Sequence, residues 1–275
     1  MSDRRLTPFS GRVALESLRG QVEAAAFTKG DAARLACPVA DLLASPEGLR
    51  DRQLLFGADL VVIDRQGAHV FVQSVADGYC GWVAADCLAA PQLATHRVIA
   101  PATHVYREAS IKRGEAMRLS LGARVAVLAQ EGGFARTPEG FIPLQHLRAL
   151  DDPPADPVTL AESLLGTPYL WGGNSRDGID CSGLVQVALH ACNRPCAADS
   201  DLQRAEFGAF LSPGTPLLRG DLFFWRGHVA IAVSPERLIH ANGHTMSVAY
   251  EEIGACLARI EAAGEGTFYG IKRPA

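Results

Sequence analysis

A chain of 275 residues, 48% of them apolar, is long enough for about two domains with cores of their own, so an extended disordered chain is not expected. Its 26 basic and 30 acidic side chains leave a net charge of −4, which offers no positive field to phosphate backbones or to an anionic membrane surface. No uncharged apolar run approaches the roughly 18 residues of a membrane helix, and Arg12, Glu16, Arg19 and Glu23 interrupt the start, so no signal peptide is read.

Residues 1–32 place Leu15, Leu18, Val22 and Ala25 at helical spacing, which predicts one short helical segment. Over residues 33–92 the pattern changes to short β-type runs, LVVID, HVFVQSV and GWVAADCL, separated by Gly and Asp turns. A second β domain is read over residues 93–150. GYCGWVAADCL (78–88) and EGFIPLQHL (139–147) share a turn, a short apolar strand and a polar-plus-Leu ending, which points to an internal repeat. DDPPADP (151–157) crowds prolines and acids and is read as a linker. Residues 158–275 then alternate helical and strand patterns: VTLAESLLG stops at Gly166, a helix opens at Cys181, GDLFFW, HVAIAV and RLIHA read as strands, and EEIGACLARI reads as a helix. Helices with clustered antiparallel strands indicate an α+β domain. The seven cysteines are odd in number and lack paired short spacings, so reduced thiols and a cytoplasmic location are expected.

The chemistry concentrates in GTPYLWGGNSRDGIDCSGLVQVAL (166–189). Positions 181, 184, 185, 188, 189 and 192 form one helix face, and Asp180 is a suitable N-cap. Cys181 therefore opens a helix, where unpaired backbone N–H groups and the positive end of the dipole favour a nucleophilic thiolate. The same residue also fits as the first core position of an amphipathic helix. A thiol enzyme needs a base and a group that orients the base. His228 begins one predicted strand and His240 ends the next, and an odd-length loop or a bulge is required to bring both imidazoles to one face. Cys192, Cys196 and Cys256 have no partners at zinc-ligand spacing, so no metal is expected.

Six motifs in order, GTPYLWGG, DGIDCSGLVQ, DSDLQ, RGDLFFW, HVAIAV and LIHANG, resemble the NlpC family of papain-like bacterial cell-wall cysteine peptidases over roughly residues 157–273. The resemblance implies Cys181 as nucleophile, His228 as base and His240 as the residue that orients it. It also implies Tyr169 beside the thiol, with Asp180 and Ser182 near the amino end of the substrate. Gln203 would line the cleft. The implied architecture is a papain-like domain of helices on an antiparallel sheet, preceded by two small SH3-like β-barrels. In such relatives the first module binds a free N-terminal amine, a role that Tyr79 of DGYCGWV fits; the acid expected after Phe56-Gly57 is replaced by Ala58, with Asp59 one position later. Ala230 and Ala232 also depart from the family pattern. The implied reaction is hydrolysis of the γ-D-glutamyl-diaminopimelate bond in short recycled wall peptides carrying a free N-terminal L-Ala, without a cofactor. Two other readings fit these residues: a peptide-binding protein with an inert C-terminal domain, and a thiol amidase or acyltransferase.

Overall fold

The structure is a computed structural model that describes residues 3–264 and 266–274. The chain divides after Asp151 into two compact units.

The first unit is all β apart from single turns of 3-10 helix. The helical segment expected within residues 1–32 does not form. Val13–Leu15 and Ala26–Thr28 pair as parallel strands, with one 3-10 turn, Glu16–Leu18, between them. Two forces override the helical spacing: Gly11 and Gly20 sit at φ of 90° and 78°, which breaks helical backbone, and Val13 and Leu15 pack by strand alternation against Ile63, Phe71 and Trp82. Ion pairs from Arg4 to Asp51 and from Arg12 to Asp64 fasten this segment to the sheet behind it.

That sheet has seven strands, ordered Arg50–Leu55, Val39–Leu43, Cys80–Ala84, His69–Ser74, Asp59–Gln66, Asp31–Leu35 and Leu88–Ala89. Cys37 and Cys87 are joined by a disulfide, so the reduced-thiol expectation is corrected for this pair. The partners lie 50 residues apart, a separation that no short-spacing pattern reveals. The internal repeat has a structural counterpart. Cys80–Ala84 runs through the 3-10 turn Ala85–Cys87 into Leu88–Ala89, and Gly140–Pro143 runs through Leu144–His146 into Leu147–Ala149.

The second set of strands, residues 96–149, forms a five-stranded and a three-stranded sheet. Its core contains Val98, Val105, Leu119, Val125, Ala135, Ile142 and also Phe56 from the preceding sheet. The Phe56 carbonyl accepts the Arg124 N–H at 2.9 Å, and a Cβ on Gly57 would lie 2.1 Å from the Arg124 carbonyl oxygen. The first β module therefore lends Phe56 to the core of the second, and glycine is required where their backbones touch.

In the second unit, Pro157 occupies the first turn of helix α1 (Pro157–Ser163) and Asp156 caps it through the Val158 N–H at 2.9 Å, so the expected linker gives its last two residues to the helix. Helix α2 spans Cys181–Ala191, α3 Ser200–Glu206 and α4 Ile253–Ala263. Five antiparallel strands follow the order Ser247–Glu252, Arg237–Asn242, His228–Ala232, Leu222–Trp225, Phe268–Lys272. Helix α2 lies against the His228 and Arg237 strands. Ile253, Cys256 and Ile260 of α4 join Phe223, Trp225, Ala230, Ala232 and Leu238 of the sheet in one core. The small side chains at 230 and 232 thus lie in the packed face shared with α4. Among the described residues, no helix is long and apolar enough to cross a membrane.

Candidate active site

Local sequence builds the amino end of α2. Asp180 accepts the Gly183 N–H at 2.7 Å and the Ser182 hydroxyl at 3.0 Å on one carboxylate oxygen, and the Gly172 N–H at 2.8 Å on the other. One side chain therefore caps the helix and holds the preceding loop. A Cβ on Gly183 would lie 2.3 Å from the Gly173 carbonyl oxygen, so the first turn and the loop pack at a distance only glycine permits. Gln203, fully buried, donates to the carbonyls of Ser182 at 2.9 Å and Ala197 at 3.1 Å. Asp180, Ser182 and Gln203, expected beside a substrate, are thus engaged in bracing the start of α2.

Cys181 is buried, and the backbone N–H groups of Val229, Ser182 and Cys181 itself lie near enough to its sulfur to lower its pKa. Helix α2, which Cys181 opens, packs against the strand that begins at His228. The thiolate expectation is corrected: burial, and next the charge of Asp180, push the thiol up to about 12, outweighing the N–H groups that lower it. At neutral pH the Cys181 side chain is therefore held as a neutral thiol. Tyr169 lies near enough for the charges of Cys181 and Asp180 to add to burial in raising its phenol. Its backbone N–H is held by the Met246 carbonyl at 2.9 Å.

The two histidines converge. Ile231 pairs with Ile239 and Ala232 with Leu238, leaving Ser234, Pro235 and Glu236 between Val233 and Arg237, whose N–H···O contact closes the turn at 2.8 Å. This odd-length connection puts residues 228 and 240 on one face. His228 Nε2 stands 2.9 Å from His240 Nδ1. Burial lowers both, His228 to about 3 and His240 to about 4, so each ring is neutral at physiological pH.

A further residue escaped the sequence reading. The sequence pattern puts Glu251 at the start of a helix, yet it lies within the strand Ser247–Glu252, and α4 begins at Ile253. Its carboxylate lies 3.1 Å from His240 Nε2, an ion-pair distance with oblique hydrogen-bond geometry. Both its oxygens accept from Arg259, each at 2.8 Å, and that contact first of all holds the Glu251 carboxyl down to about 2. Among the described residues, His240, Glu251 and Cys256 form the cluster whose donor atoms could surround a metal, all within 4.8 Å of one another. The guanidinium occupying both carboxylate oxygens makes this an ion-pair network instead.

The first-unit candidates are engaged by partners within the first unit. Tyr79 is buried beneath the Arg52 guanidinium, which is 5.4 Å from its ring centre and also pairs with Asp77. Asp59 pairs with Arg124 at 2.6 Å, which occupies the acid offered in place of Ala58.

Residues 166–256 match the NlpC/P60 family, and residues 42–88 match the bacterial dipeptidyl-peptidase Sh3 domain. The chain is similar to the gamma-D-glutamyl-L-lysine dipeptidyl-peptidase of Bacillus subtilis (strain 168), 28% identical over 69% of this chain and 71% of that protein. It is also 35% identical to dipeptidyl-peptidase 6 of Lysinibacillus sphaericus, over 31% of each chain. A crystal structure of an NlpC/P60 family protein from Bacillus cereus ATCC 10987 superposes with a TM-score of 0.76 at 21% identity, covering 89% of this chain and 99% of that one.

Proposed function

We propose that this chain, whose C-terminal domain belongs to the NlpC/P60 family and makes it a thiol hydrolase, cleaves the γ-D-glutamyl-diamino-acid bond of short peptidoglycan-derived peptides with a free N-terminal L-Ala. The product would be the dipeptide L-Ala-D-Glu. The observation that carries the peptidase chemistry is Cys181 at the start of helix α2, packed against the strand whose His228 ring is coupled to His240 at 2.9 Å. The dipeptide specificity is supported by the match at residues 42–88 and by the names of the two relatives.

In this mechanism the Cys181 proton passes to His228 as sulfur attacks the peptide carbonyl, so that charge appears only as the bond forms. Backbone N–H groups at the start of α2 stabilise the oxyanion. His228 returns the proton to the leaving amine, and the C–N bond breaks to give a thioester. Water then attacks with His228 as base and frees the dipeptide and the thiol.

The test is product analysis with purified protein on L-Ala-γ-D-Glu-diaminopimelate and on its L-Lys counterpart. L-Ala-D-Glu release by the native protein, absent in Cys181→Ala, is expected. No dipeptide from either peptide, with Cys181 intact and alkylatable, overturns the substrate assignment. Transfer to an added amine in place of hydrolysis would identify an acyltransferase.

A further inference from the structure

The His228–His240 couple leaves one question of proton placement that the surrounding residues answer. An imidazole pair joined Nε2 to Nδ1 can hold its shared proton on either ring, and only one arrangement gives His228 a bare nitrogen for the thiol. His240 is wholly buried, and its Nε2 faces the Glu251 carboxylate at 3.1 Å. No other acceptor or donor reaches that nitrogen among the described residues. A lone pair on Nε2 would point at a carboxylate in a dry site, an uncompensated repulsion, so the proton of His240 resides on Nε2. Nδ1 of His240 is then an acceptor, and the 2.9 Å contact requires a proton on Nε2 of His228. That leaves His228 Nδ1 unprotonated, as a base must be.

We propose that Glu251, clamped by Arg259, is a positioning residue that sets the tautomers of both histidines in series and thereby holds His228 in its base form. The clamp is rigid in the sense that matters. Two parallel N–H···O contacts of 2.8 Å from one guanidinium fix the plane of the carboxylate. Cross-strand register does the rest: His240 faces Ala249 and Leu238 faces Glu251, so Glu251 is the diagonal neighbour of His240. At His228 the charge of Arg259 lowers the pKa and that of Glu251, the smaller of the two, raises it, so the clamped pair acts on the base through orientation and not through net charge.

The inference rests on the peptidase reading of the site but not on its substrate. Nitrogen-15 spectra of the native protein report the protonated nitrogen of each ring directly. Nε2–H on both His228 and His240 is expected, and an Nδ1–H on His240 overturns the proposal without any variant being made. In Glu251→Ala, the rate of Cys181 alkylation by iodoacetamide and the kcat for dipeptide release should both fall by about 10- to 100-fold, with KM within about twofold. Native rates in a folded Glu251→Ala protein overturn it too. If the native protein releases no dipeptide while the alkylation rate and the tautomers behave as expected, the substrate assignment fails and the proposal stands.

Discussion

Burial holds the thiols of Cys80, Cys181 and Cys256 each at about 12, so electrostatics alone does not single one of them out. What distinguishes Cys181 is its seat on the strand of His228. Iodoacetamide at pH 7 should therefore modify Cys181 well ahead of Cys80 and Cys256, and His228→Ala should reduce its rate to that of the other two. Mass-spectrometric site mapping checks this, and equal rates in the native protein would remove the base from the mechanism. The same histidines impose a pH dependence on stability. Unfolded imidazoles titrate at about 6.5, whereas burial lowers His228 to about 3 and His240 to about 4. The unfolded chain therefore binds more protons in acid, and the contribution of the neutral pair is complete above about pH 6.5 and lost as pH falls through about 4 and then about 3. Glu251, lowered to about 2 beside Arg259, acts in the same direction at lower pH. The thermal midpoint should fall from pH 6.5 to pH 4, and a His228→Asn/His240→Asn double variant should show a shallower fall. Parallel curves would place the acid sensitivity elsewhere.

Helix α2 is the element on which the site depends, and its start has one dominant determinant. Asp180 accepts from both Gly172 and Gly183, so Asp180→Ala removes the cap and releases the loop together. A loss of about 1–2 kcal/mol in urea unfolding is expected. Asp180→Asn keeps an acceptor for one of the two N–H groups and should cost less; equal losses would show that only the loop contact matters. This helix was legible in the sequence because its cues are local, an N-cap and an apolar face at 3.6 spacing, whereas the side the histidines share rests on a three-residue connection that the sequence left open. Glu251 was not legible. Its meeting with His240 depends on the register across the Asn242–Ser247 turn, and two successive acids before an apolar helix read as helix-start residues. The disulfide escaped for a similar reason, since Cys37 and Cys87 meet only through the fold of a seven-stranded sheet.

On the scale of the whole chain, the β region shows where sequence segmentation and packing diverge. Composition and turns separate residues 33–92 from 93–150, and the repeat of strand, 3-10 turn and strand at Cys80–Ala89 and Gly140–Ala149 reflects two similar modules. Apolar burial ignores that boundary. Phe56, 3% exposed, belongs to the core of the second module although it follows directly on the strand Arg50–Leu55 of the first. The Arg34–Glu139 and Asp59–Arg124 ion pairs bridge the same two modules. Truncation at Phe56 should therefore loosen both modules together. Phe56→Ala removes a buried aromatic ring, a change that costs about 3–5 kcal/mol when the cavity does not collapse, and its neighbour Gly57 leaves no slack for the backbones to close the gap. Hydrogen exchange by mass spectrometry is expected to show protection falling in the Asp59–Gln66 and His69–Ser74 strands as well as in Ala102–Tyr106 and Glu115–Ser120. If only the strands after residue 95 lose protection, the modules are two cooperative bodies that merely touch, and the shared core has no energetic meaning.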